Sequence, residues 1–126
     1  MGVIRRYQCP SCKKTWELFV GHGMKHGILG RVMGTFPKDI QKKIAVEVQG
    51  EQLPLFDFQY EEALCKNCQE LVAVPVLRFM ERQKTFLGKC PNCGSETERL
   101  NLQEGSEADC PGCGGCLKIQ DTGHWD

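Results

Sequence analysis

The chain has 126 residues, 16 basic and 16 acidic, for a formal net charge of zero. That length suits one modest domain or two very small ones, and 40% hydrophobic with 8% aromatic residues argues against a disordered chain. The longest apolar run, residues 71–77, falls far short of the roughly 20 residues of a membrane helix, and the first residues carry neither a signal-peptide core nor a myristoylation motif; a cytoplasmic protein with no membrane association is expected.

In chain order, residues 7–19 read as strand, tight turn and strand, with Trp16 and Phe19 bulky enough to cover the turn. Residues 20–34 hold five glycines and read as a loop. Thr35 and Pro37 look like a helix start, and Ile40 and Ile44 place one apolar face on a helix over about 37–43. Alternation at Ile44, Val46 and Val48 then suits a strand, with a return strand through Leu53, Leu55, Phe58 and Tyr60 that Pro54 marks as an edge. A strand into Leu64 and another through residues 71–74 flank a second turn. Residues 75–87 read as a linking helix stopped by Gly88, with a strand hairpin as the alternative. Strands at 97–102 and 117–119 follow, and residues 120–126 are expected to be loose.

Eight of the nine cysteines fall in four identical frames: Cys9-Pro-Ser-Cys12, Cys65-Lys-Asn-Cys68, Cys90-Pro-Asn-Cys93 and Cys110-Pro-Gly-Cys113. Two residues between cysteines let one tight turn aim both sulfurs at a point while its amides face the thiolates. Two such turns supply the four thiolates of a closed tetrahedral zinc site. Disulfides fit poorly with an odd count and no export signal, and a catalytic dithiol needs one pair beside a βαβ unit, not four pairs. Zn2+ at two ions per chain is therefore expected, and iron fits the same cage. The 16 residues between Cys93 and Cys110 match the usual spacing of roughly 15–20. That favours a sequential pairing, with Cys9, Cys12, Cys65 and Cys68 as site 1 and Cys90, Cys93, Cys110 and Cys113 as site 2. The rival is nested: Cys65/Cys68 with Cys90/Cys93, and Cys9/Cys12 with Cys110/Cys113.

Cys90-Pro-Asn-Cys93-Gly94 with Cys110-Pro-Gly-Cys113-Gly114 resembles a zinc ribbon, whose two C-P-x-C-G knuckles sit at hairpin turns around one zinc. In the first half Lys13 stands where the glycine would be, and Cys65-Lys-Asn-Cys68 lacks both proline and glycine. The resemblance implies a small, metal-stabilised, mainly β fold with a little α: two zinc-ribbon-like modules with rubredoxin-type knuckles. Residues 1–76 form the first, carrying a basic Gly-rich insertion with a short helix and hairpin over about 20–60. Residues 77–88 link it to a second ribbon over 89–126, which at this size should unfold without metal. Cys116 extends Cys110 and Cys113 to C-x2-C-x2-C, which resembles part of a bacterial ferredoxin motif, but Gln120 stands where its fourth cysteine belongs.

The neutral total hides a split. Residues 1–45 carry nine bases against Glu17 and Asp39, or +7, and the remainder carries −7. Lys13, Lys14, Lys25, Arg31, Lys38, Lys42 and Lys43 are candidate partner-binding residues, with Trp16 or Phe36 as a stacking surface for a base. The competing reading has the basic half docking on the acidic half, or its lysines offsetting thiolates. His22 and His26 read as a solvated loop. No carboxylate pair, nucleophile–base arrangement or open metal motif is visible, so the expectation is a non-enzymatic, structural-zinc adaptor for nucleic acid or protein. The alternatives are a rubredoxin-like iron protein in electron transfer and a zinc-dependent chaperone or assembly factor.

Overall fold

The computed structural model describes residues 2–51, 54–100, 102 and 105–125, with the side chains of Met24 and Lys25 left out. Leu53, one residue of the expected return strand, therefore lies outside the described residues. The elements run β1 (Gly2–Gln8), β2 (Thr15–Val20), a 3-10 turn (Met24–Gly27), α1 (Leu29–Met33), α2 (Lys38–Glu47), β3 (Phe56–Cys65), β4 (Glu70–Phe79), β5 (Lys84–Leu87), β6 (Glu98–Arg99) and β7 (Lys118–Trp125). They form two antiparallel sheets, one ordered β2-β1-β7 and the other β5-β4-β3-β6. The architecture is small and mainly β, with two α-helices among the described residues.

The outer sheet joins the two ends of the chain. β7 pairs along β1 from Gly2↔Trp125 to Gln8↔Lys118, while β2 pairs on the other edge with Tyr7 opposite Trp16. Residues 120–125 are thus strand, not a loose tail. Inward positions 119, 121, 123 and 125 alternate with exposed positions 118, 120, 122 and 124. Only Ile119 and Trp125 of the inward set are large and apolar, which hides the period in the sequence. The Trp125 indole donates to the Val20 carbonyl at 2.9 Å and covers Gly2 so closely that a Cβ there would lie 2.2 Å from the ring.

The inner sheet is built on β4, whose side chains reach three cores. Leu77 and Phe79 join Phe58, Phe86 and the helix residues Val32, Phe36, Ile40 and Ile44. Val72, Val74 and Val76 face Ala63, Cys65 and Cys90. Leu71 packs with Tyr7, Trp16, Leu117 and Ile119 under the outer sheet.

Three expected elements are corrected. The linking helix over 75–87 is the β4–β5 hairpin, in register from Val76↔Leu87 to Phe79↔Lys84. Phe79 and Phe86, seven apart, share a helix face but equally meet across a hairpin, where their rings lie 6.0 Å apart at 89°. Valines at every second position decide for the strand, and Pro75 is accommodated just past the end of β5, where its carbonyl accepts from Gly88 N–H at 2.8 Å. Gly88 is no helix stop: a Cβ there would lie 2.5 Å from the Pro75 ring, so glycine lets the chain lie against β4. α2 runs on to Glu47, and Val46, expected in a strand, is an exposed helix residue at 71%. The glycine-rich segment holds the 3-10 turn and α1 rather than only loop, because Val32 enters the core.

The division into consecutive modules is also replaced. β7 belongs to the sheet begun by β1, so residues 56–99 form an inner unit inserted between the two halves of an outer one.

Candidate metal centres

Three cysteine frames sit at or just after the end of a strand, and the fourth, Cys110 and Cys113, sits in a turn closed by the isolated bridge Asp109↔Cys116. Cys9 and Cys12 turn β1 into β2, and Cys65 and Cys68 turn β3 into β4. The turns share a bonding scheme. Gly94 N–H donates to the Cys90 carbonyl at 2.9 Å, Gly114 to Cys110 at 2.8 Å, and Lys13 to Cys9 at 2.9 Å. In all four turns the residue after the second cysteine has positive φ: Lys13 at 66°, Gln69 at 55°, Gly94 at 74° and Gly114 at 78°. The two glycines found in the sequence are there because the turn demands left-handed backbone, and the first two turns make the same conformation without one.

The turns converge in two groups, Cys9, Cys12, Cys110 and Cys113, and Cys65, Cys68, Cys90 and Cys93, with the sulfurs of each within 4.8 Å of one another. This is the nested arrangement; the sequential sets favoured by spacing are not brought together. The 16-residue interval between Cys93 and Cys110 has the length of a ribbon but connects two different clusters. The deciding contacts lie elsewhere: β1–β7 pairing carries Cys110 and Cys113 to Cys9, and β6 on β3 sets the Cys90 turn beside Cys65.

The donor set fits a metal ion. Sγ atoms stand 3.4 Å apart for Cys9 and Cys113, 3.7 Å for Cys12 and Cys110, 3.5 Å for Cys65 and Cys93, and 4.0 Å for Cys68 and Cys90. A tetrahedron with metal–sulfur bonds of about 2.3 Å has edges of about 3.8 Å. Amides point at the sulfurs: Cys12 N–H to Cys9 Sγ at 3.5 Å, Cys68 N–H to Cys65 Sγ at 3.4 Å, and Gly115 N–H to Cys113 Sγ at 3.4 Å. Protonation shows what the cages need. The Cys12 amide draws the Cys9 thiol down to about 6, and the Ser95 side chain draws Cys93 down to about 5. Cys68, crowded first by Cys93, is pushed up to about 12. At Cys113 the Gly115 amide lowers the value, but Cys9 and burial outweigh it and carry it to about 12. Each cluster thus holds one thiol whose pKa is lowered and one whose pKa neighbouring sulfurs help to raise, a crowding that a cation among the thiolates would relieve.

One buried polar group ties the two sheets together. Glu62 of β3 accepts from Arg5 and, at 3.0 Å, from the Tyr7 hydroxyl, both of β1; Arg5 also donates to Asp121 at 2.6 Å and to the Leu102 carbonyl at 2.7 Å. Burial, with Glu62 beside it, raises the Tyr7 pKa and keeps its hydroxyl a donor. Burial opposes the Arg5 charge, but its bonds to Asp121 and Glu62 outweigh this and raise its pKa. Sequence reading missed this group, since Arg5, Tyr7 and Glu62 carry no motif.

The candidate partner-binding residues divide. Lys14 is occupied: its ammonium lies 3.5 Å from Glu70 and 5.6 Å from the centre of the Trp16 ring. Lys13, Arg31, Lys38, Lys42 and Lys43 are exposed, and the Lys25 side chain lies outside the described residues. Trp16 and Phe36 are buried and offer no stacking surface. His26, expected in a solvated loop, is buried; its Nδ1 accepts from Gly23 N–H at 2.8 Å and its ring lies 4.7 Å from that of Phe58. His22 is exposed, and Cys116 is exposed outside both clusters.

Set against family models, curated proteins and solved structures, the chain finds no match. The two clusters fit a zinc-ribbon-like arrangement and could hold two metal ions. No helix among the described residues is long and apolar enough to cross a membrane.

Proposed function

We propose that this is a non-enzymatic adaptor, held together by two structural zinc ions and presenting a basic surface to a partner. The observation that supports it most is the convergence of four cysteine sulfurs at each of two points. A site closed by four protein ligands has no position for water or substrate, so its metal serves rigidity and not catalysis. Zinc is the ion of this reading because four thiolates in a tetrahedral cage suit it and its role needs no change of oxidation state. The exposed lysines of α2 carry the adaptor part: they contribute nothing to the metal sites and stand clear of the core.

Elemental analysis of protein purified without added metal tests the reading. Two zinc per chain is the expected result. Iron at either site would move electron transfer to the front, and a metal-free folded chain would remove the structural role altogether.

A further inference from the structure

The exposed lysines of α2 are met by a lysine from the acidic half of the chain. Lys42, Lys43, Val46 and Glu47 of α2 and Lys84 and Phe86 of β5 line a groove of about 310 Å³. A second depression of about 460 Å³ also includes Lys43, Lys84 and Phe86, with Ile40 and Lys89. Lys38 lies one helical turn before Lys42 on the same exposed face. Two nearby carboxylates are engaged, and Glu96, which lines only the second depression, is the acid left to face its lysines. Asp39 lies 3.6 Å from Lys89, and Glu47 lies 3.7 Å from Arg82. Lys38, Lys42, Lys43 and Lys84 form no ion pair among the described residues. Amid these charges Val46 is 71% exposed. A single exposed valine is ordinary on a protein surface; here it borders a groove whose other walls include lysine stems and the Phe86 ring, a combination that suits an occupant both acidic and apolar.

We infer that the α2–β5 groove binds an acidic segment of a partner protein that inserts a bulky apolar side chain against Val46 while its carboxylates meet Lys38, Lys42, Lys43 and Lys84. This rests on the adaptor reading and names its partner class. Nucleic acid fits less well. A phosphate gains nothing from Val46, and base stacking needs an open aromatic face, whereas Phe86 is only 7% exposed and already carries the Lys84 ammonium 5.6 Å from its ring centre.

Fluorescence anisotropy on the full chain tests this with three labelled probes: a short glutamate peptide with leucines at its centre, the same peptide with glycines replacing the leucines, and an oligothymidylate of similar charge. The leucine peptide should bind most tightly, and both Val46→Asp and the pair Lys42→Glu/Lys43→Glu should weaken it at least roughly tenfold. These residues are exposed, so the variants should keep the wild-type metal content, which is measured on the same samples. Equal binding of the two peptides, tighter binding of the oligonucleotide, or no binding by a fully metallated chain would each overturn the groove assignment. A chain without zinc would instead fail the reading on which it rests.

Discussion

The two candidate metal centres share a turn geometry and differ in what must fold before they can close. The inner site joins turns with 21 residues between Cys68 and Cys90, and adjacent strands β3 and β4 start it. The outer site spans 97 residues between Cys12 and Cys110. By the logarithmic loop rule alone the longer closure costs about 1.4 kcal/mol more. The larger difference is structural. The inner unit lies inside the outer loop, and its compact form brings the ends of that loop together. This topology predicts an order: the inner centre should close without the outer one, and the outer one only once the inner unit has folded.

Ligand removal should break this symmetry most visibly. Cys9→Ser or Cys110→Ser is expected to lower metal content from two ions to one and leave the inner sheet folded. Cys65→Ser or Cys90→Ser should remove both ions, because the outer turns then face a long unstructured loop. A structural zinc ion bound by four cysteines typically contributes apparent binding energy of about 10–16 kcal/mol, so under the zinc reading no other substitution should have a comparable effect. Metal content with near-UV circular dichroism on the four variants decides the point. A loss of one ion in every case would mean that the centres are independent. The same hierarchy predicts stepwise release to a chelator, with the outer ion leaving first and the inner one with global unfolding; simultaneous release would contradict it.

The seam between the units gives the next effect. Glu62 belongs to the inner sheet, and Arg5 and Tyr7 to the outer one. Glu62→Gln removes one of the two carboxylates that Arg5 faces, Asp121 remaining, and should cost about 1–3 kcal/mol in denaturant unfolding. If the outer unit depends on the inner one through this contact, the variant should retain the inner metal and lose the outer one at lower chelator concentration. An unchanged ratio of the two affinities would show that the seam adds stability without coupling the sites.

What the sequence disclosed follows from how local each signal is. The four C-x-x-C frames gave all eight candidate ligands, because a thiol pair in a tight turn is a contiguous pattern. Their grouping is a property of strand pairing across 97 residues, and ribbon-like spacing between Cys93 and Cys110 pointed to a contact that does not form. The 75–87 hairpin was legible only through Val72, Val74 and Val76, since Phe79 and Phe86 satisfy a helix equally well. β7 was hidden because only two of its inward positions are large and apolar. Lys42 and Lys43 were visible as charge, but their neighbour Lys84 comes from the oppositely charged half and is placed there by the β4–β5 hairpin.

The smallest effect tests whether the four turns are energetically alike. Gly94 and Gly114 have positive φ and no atom within 4 Å of where a Cβ would stand, so Gly94→Ala and Gly114→Ala change backbone preference alone. Each should destabilise by about 1 kcal/mol. Lys13 and Gln69 already bear that strain, so Lys13→Gly and Gln69→Gly should each stabilise, by about 0.5 kcal/mol once the greater freedom of glycine in the unfolded chain is offset. Urea titration of the zinc-loaded protein gives all four values. If the outer centre forms last, the outer substitutions at Lys13 and Gly114 should shift outer-metal release and leave the inner ion's release unchanged. The inner substitutions at Gln69 and Gly94 should move both, because the outer centre inherits whatever stability the inner unit has.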